Sequence, residues 1–224
     1  MSNNEVLPNL SGLGALETVT DLLSITTNNA LVNLSGLSSL TGLRRIIVGE
    51  NELLKNLTGL EKLESVSYQM HITLNKGLLS LTGLENLHYL SEAYITSNDV
   101  LPDLSGLEVV IGVQWLVMGE NSALTSLAGL NNLRSSTNLI IRGNASLANL
   151  DGLDNLTYVG WLQIVGNAEL LSLSALVTSA SGRSNANARV GALGLKSSIS
   201  LAILNSCYAR SNLCAHSWAA SALS

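Results

Sequence analysis

The motif Leu-x-Gly-Leu sets its glycine at Gly12, Gly36, Gly59, Gly83, Gly106, Gly129 and Gly152, with Ala175 in the eighth place, so it returns every 23 or 24 residues. Six residues before the first leucine of each motif stands an asparagine: Asn4, then Asn28, Asn51, Asn75, Asn98, Asn121, Asn144 and Asn167. Three residues before each Asn from the second onward the chain is apolar, at Ile25, Val48, Ile72, Ile95, Met118, Ile141 and Ile164. A fixed period in the twenties marks a solenoid, whose single coils cannot bury an apolar face alone and obtain a core by stacking.

Inside one coil the apolar residues Leu101, Leu104, Leu107, Val110, Val113 and Leu116 fall every third place, and a single step of two then reaches Met118. Steps of three advance about 300° each around an α-helix, so six of them cannot share a face. Consecutive turns, 3₁₀ pieces and short extended segments fit the spacing, and the step of two fits a strand with both side chains inward. The expected architecture is one right-handed repeat solenoid of about seven to eight coils, mostly β and turns with little helix. Each coil gives one strand, at residues 23–25 and their equivalents, to a short parallel sheet.

The Asn column, Asn28, Asn51, Asn75, Asn98, Asn121, Asn144 and Asn167, is expected to be a structural ladder whose amides satisfy backbone groups left unpaired after each strand. The Gly column implies positive φ or close backbone approach. Leu-x-Ile-x-x-Asn-x-x-Leu resembles the strand-and-turn segment of leucine-rich repeats. The spacing Asn-x-x-Leu-x-x-Leu-x-Gly-Leu, with Val-Gly-x-Leu-x-Ile-x-Gly-Asn ending at Asn167, is most similar to receptor L-domains. That resemblance covers about residues 4–176. It implies a ligand-binding lobe, secreted or on a cell surface.

The chain divides at the end of the pattern: residues 1–176 form the solenoid and residues 177–224 an Ala/Ser-rich tail. Glu169 is the last acidic residue, after which Arg183, Arg189, Lys196 and Arg210 are the charged groups. Residues 177–192 have linker composition, and residues 193–204 are apolar enough to dock on the last coil. A C-terminal cap and an adventitious or frame-shifted end are both open. Cys207 and Cys214 lie in this tail, so the repeats hold no disulfide framework.

A net charge of −5 with no basic patch argues against nucleic acid as partner. No apolar run is long enough to span a bilayer, and no secretory signal heads the sequence. The first coil starts at Asn4 without a preceding strand or polar cap, so the chain is expected to be a fragment of, or neighbour to, further segments. His71, His88 and His216 are dispersed, and no catalytic motif, metal-ligand cluster or cofactor signature is present. The expectation is a non-enzyme without metal or cofactor.

Three irregularities qualify the repeat. Val19 and Leu23, and likewise Val66 and Met70, are four apart where other coils have three, which predicts a small bulge just before the strand. Ala93 and Ser136 are small core residues beside which a void is conceivable, while Met70 and Met118 fill gaps. Asn-x-Ser/Thr sequons at Asn9, Asn33, Asn56 and Asn155 suit glycans in a eukaryotic secretory setting, but the one at Asn144 belongs to the buried ladder.

Strand residues flanking the inward pair must point outward. They form three columns: Leu22, Arg45, Gln69, Glu92, Trp115, Asn138, Trp161; Ser24, Ile47, His71, Tyr94, Val117, Ile140, Gln163; and Thr26, Gly49, Thr73, Thr96, Gly119, Arg142, Val165. The third column is too broken for a flat threonine array that would bind ice. Mixed aromatic, aliphatic and arginine side chains favour an interface centre. Ligand contact is therefore expected at Arg45, His71, Tyr94, Trp115, Arg142 and Trp161, with Tyr94 and Trp115 as neighbours. The expected function is recognition of a protein or glycan partner; the alternative is a structural spacer or adhesin-type surface repeat.

Overall fold

Backbone hydrogen bonding between equivalent residues of successive coils builds the molecule. In the computed structural model, which describes residues 1–179 and 187–189, eight parallel strands pair in strict chain order. They are β1 (Thr18–Thr26), β2 (Gly42–Gly49), β3 (Ser65–Thr73), β4 (Tyr89–Thr96), β5 (Gly112–Gly119), β6 (Ser135–Arg142), β7 (Tyr158–Val165) and the short β8 (Asn187–Arg189). Each neighbour pair is offset by one repeat, as Leu116↔Leu139↔Leu162 shows. This is a β-solenoid with little helix, as the period-three pattern requires.

Strands β1 to β7 run eight or nine residues, longer than the three-residue core expected, because each begins before the last step of three. The inserted residues therefore lie inside β1 and β3 and not ahead of them. Two residues of β1, Thr20 and Asp21, face Arg44 of β2, and two of β3, Ser67 and Tyr68, face the same position. These are two-against-one bulges on either side of Arg44. Its guanidinium reaches Asp21 at 2.9 Å and lies 5.1 Å above the Tyr68 ring, so one cation bridges both insertions.

The leucine columns fill the interior, where Leu101, Leu104, Leu124, Leu127 and Leu147 are wholly buried, while the terminal equivalents Leu7 and Leu173 are partly buried. Ala93 and Ser136 are buried too, and the Ser136 hydroxyl donates to the Asn138 carbonyl at 3.0 Å, so its polar atom is satisfied locally. The back of the coil is also laced to its neighbours. The Leu57, Leu81 and Leu104 amides donate to the carbonyls of Thr82, Ser105 and Ala128 of the following coils.

The Asn column is buried throughout and its bonding is directional. The Oδ1 of Asn121 accepts the Asn98 backbone N–H at 2.9 Å, and its Nδ2 donates to the Ile95 carbonyl at 2.9 Å. The same pair of bonds recurs at Asn51, Asn75, Asn98, Asn144 and Asn167, each closing the turn of the coil before it. The residue ahead of each ladder Asn is left-handed: Asn3, Thr27, Glu50, Leu74, Ser97, Glu120, Gly143 and Gly166 all have positive φ. Only two of the eight are glycine, the residue that adopts this region without steric cost.

In the Leu-x-Gly-Leu motif, Gly83 has φ +114° and a Cβ there would stand 2.2 Å from the Leu57 carbonyl oxygen, so positive φ and close approach coincide. A carboxylate or amide two residues on accepts the glycine N–H: Glu61, Glu85, Glu108, Asn131 and Asp154 do so in turn. This cap is invisible in the spacing of leucines alone.

The first coil is not bare at its start. Ser2 bridges to Thr26, the Thr26 N–H donates to the Met1 carbonyl, and the Met1 ammonium donates to the Ser24 carbonyl at 2.6 Å. At the other end, α1 (Ser174–Ser179) begins inside the last copy of the motif, the one with Ala175 in the glycine place, and β8 pairs with β7 inside the stretch whose composition suggested a linker. The proposed docking segment 193–204 and both cysteines lie outside the described residues.

Candidate functional site

The outward columns follow from the ladder register, which sets Arg45 beside Gln69, Gln69 beside Glu92, Glu92 beside Trp115, Trp115 beside Asn138, and Asn138 beside Trp161. In the next column His71 faces Tyr94 and Tyr94 faces Val117. Tyr94 is thus opposite Val117 and only diagonal to Trp115, because the two aromatics occupy different columns.

The six expected contact residues do not form one cluster. Arg45 on β2 and Trp161 on β7 are five strands apart, roughly 24 Å at about 4.8 Å per strand. What the fold brings together is a polar–aromatic group on β3 and β4. The His71 and Tyr94 rings stack with centroids 4.5 Å apart and planes 9° apart. The Tyr94 hydroxyl donates to Glu92 Oε2 at 3.2 Å, and Gln69 Nε2 donates to the same oxygen at 2.9 Å. Burial lowers the His71 pKa, with the Glu92 charge opposing it, whereas burial and then Glu92 raise that of Tyr94. Both shifts favour the uncharged form of the ring concerned.

A second group consists of Trp115 and Trp161, both half-buried, on either side of Asn138. Beside them Val117 is only 6% exposed, so this outward residue, like Gly49 and Gly119, offers little surface of its own. At Gly119 a Cβ would meet Arg142 Nε at 3.1 Å, so the Arg142 chain lies across the bare glycine.

Both arginines are engaged with carboxylates of this chain. Arg45 Nη2 donates to the two Asp21 oxygens at 3.0 and 3.1 Å, and its buried Nε has no partner. The Arg44 and Arg45 hydrogen bonds hold the Asp21 carboxyl below its usual pKa. Arg142 lies 3.7 Å from Glu120. Neither cation is a free anchor for an anion.

Among the described residues no three His, Cys, Asp or Glu side chains converge as a metal site, and no helix is long and apolar enough to cross a membrane. Of the sequons, Asn9, Asn33 and Asn56 use Oδ1 to accept the N–H two residues on, whereas Asn155 Nδ2 donates to the Asn131 carbonyl at 2.7 Å. The chain matches no protein-family model and no curated protein.

Proposed function

We propose that this solenoid is of the leucine-rich kind, nearest in its repeat to receptor L-domains, and that it is a non-enzymatic recognition module of a secreted or surface protein. Its strand face takes a protein partner. The observation that carries this is the outward side of β2 to β7, where the half-buried Trp115, Trp161, Tyr94 and His71 stand among the half-buried Ile47 and Ile140 over a regular backbone. Rigid aromatic anchors among aliphatic side chains, with ion pairs at the margins, are the composition of a protein interface core.

The test is a binding screen against surface and secreted proteins, repeated with Trp115→Ala and Trp161→Ala at matched thermal stability. Truncating such an anchor costs about 2 kcal/mol or more, near thirtyfold in affinity, while the exposed loop change Lys62→Ala is neutral. A partner insensitive to both tryptophans but sensitive to Lys62 moves the site to the other side of the coil. The spacer reading is favoured by the amide ladder, which runs uninterrupted from Asn4 to Asn167. It predicts no partner for the strand face and stiffness along the stack.

A further inference from the structure

Beyond the strand face, each coil turns a second flank to solvent at the residues two and four places after its ladder Asn, on either side of the buried leucine of that turn. In the first five coils these two rows hold Val6, Val32, Leu53, Leu79, Val100 and Pro102, all exposed. The fold does not ask for apolar side chains there, since the same rows carry Lys55, Thr125, Ser146 and Glu169. Backbone bonds fix the outer row in coil order: the Lys55 amide donates to the Val32 carbonyl at 3.0 Å and the Leu79 amide to the Lys55 carbonyl at 2.9 Å. Val32, Leu53 and Leu79 keep 45%, 51% and 53% of their surface in water. Large apolar side chains exposed on successive coils make a continuous strip, which marks a contact surface, whereas singly scattered ones mark nothing.

Period and charge select what the strip fits. Its side chains recur at about 4.8 Å, the strand spacing, and a second stack of the same coils offers the same spacing. Beside the apolar rows, one place after the ladder Asn, Glu52 of the third coil and Lys76 of the fourth form an ion pair at 2.9 Å. A two-fold axis along the stack would face Glu52 with Glu52 and Lys76 with Lys76. A two-fold axis across the stack, between the third and fourth coils, faces each carboxylate with the ammonium of the other copy, so the two ion pairs meet head to tail. The same axis sets Leu53 of one copy opposite Gly77 of the other, where no side chain stands. A Cβ on Gly77 would lie 2.5 Å from the Glu52 carbonyl oxygen, so the fold keeps that place bare. Val32 then faces Pro102, and Lys55 faces Leu79, where its methylene stem covers the leucine.

We propose that this flank joins two copies of the chain as an antiparallel dimer, independently of the strand face. From the first coil to the sixth the strip is roughly 24 Å long and only two rows wide, well short of the ~800 Å² per partner of a standard interface. The dimer is accordingly weak, with Kd on the order of 10–100 μM.

The experiment is sedimentation velocity of the full chain from about 1 μM to 1 mM, in reducing buffer so that Cys207 and Cys214 link no copies. A reversible equilibrium of monomer and dimer is expected. Leu53→Lys and Leu79→Lys should each raise the dimer Kd by roughly tenfold or more, because each substitution enters the contact twice. Glu52→Lys and Lys76→Glu each set like charges together across the axis and should weaken the dimer, while the double swap should return it to within about threefold of wild type. All four residues are exposed, and a thermal melt of every variant verifies the fold. Trp115→Ala should leave the equilibrium unchanged. A chain still monomeric at about 1 mM would overturn the proposal and leave the flank to a different protein. A dimer indifferent to both leucine substitutions, a double swap as weak as its single parents, or a dimer dissolved by Trp115→Ala would each overturn it too.

Discussion

The imidazole of His71 lies flat against the Tyr94 ring, with 4.5 Å between centroids and 9° between planes, and is half-buried there. Burial favours the neutral imidazole, so the folded chain binds this proton less readily than the unfolded one, whose pKa stays near 6.5. The stability this neutral ring contributes is present above about pH 6.5 and is lost as pH falls through the lower native pKa. Thermal unfolding at pH 7.5 and 5.5 should show a drop in wild type that is smaller in His71→Gln. An equal drop in both would assign the acid sensitivity elsewhere.

Asn121→Ala should be among the most damaging single changes in the chain. It leaves the Asn98 N–H buried without a partner, at about 1–3 kcal/mol, and removes a second hydrogen bond to the Ile95 carbonyl and the packing of a wholly buried amide. Denaturant unfolding should show a loss of roughly 3 kcal/mol. Because solenoid coils depend on their neighbours, hydrogen exchange should rise first between β4 and β6.

Leu74→Asn should stabilise the protein. Leu74 has φ +59° with 47% of its surface in water, so it carries the strain of a left-handed residue without repaying it by burial. Asparagine tolerates that region better, and a gain of about 0.5–1 kcal/mol, a rise of some 2–4 °C in Tm, is expected. A lowered Tm would show that the half-covered leucine packs more than its exposure implies.

Gly83→Ala and Gly12→Ala form a matched pair within one sequence column. The first forces a Cβ to 2.2 Å from a backbone oxygen at positive φ, while the second meets nothing within 4 Å. Unfolding should show a loss of roughly 3 kcal/mol or more for Gly83→Ala, through strain at a special φ/ψ and overpacking, and almost none for Gly12→Ala. Similar losses at both would mean that neither the close approach nor the positive φ, both lacking at Gly12, sets the cost.

The period of three, the inward leucines and the two inserted residues are legible in the sequence because burial repeats with the backbone. The left-handed column is not. Thr27, Glu50, Leu74, Ser97 and Glu120 share no chemistry, and only Gly143 and Gly166 hint at it. The acceptors Glu61, Glu85 and Glu108 look like ordinary surface charge until Gly59, Gly83 and Gly106 are seen donating to them. The outward columns follow from alternation, but which members are free does not. That Asp21 occupies Arg45, and that Arg142 covers Gly119, depends on side chains one coil away.

The amide ladder also imposes an order in time. Asn98 has its N–H, and Ile95 its carbonyl, satisfied by Asn121, which lies 23 residues later, so each coil is completed by the one translated after it. At about 5–20 residues per second a coil leaving the ribosome waits roughly one to five seconds for the side chain that closes it. Nascent chains should therefore always end in one unsealed coil, and pausing of translation within the repeats would lengthen the interval in which its apolar face is available to a chaperone or to another chain.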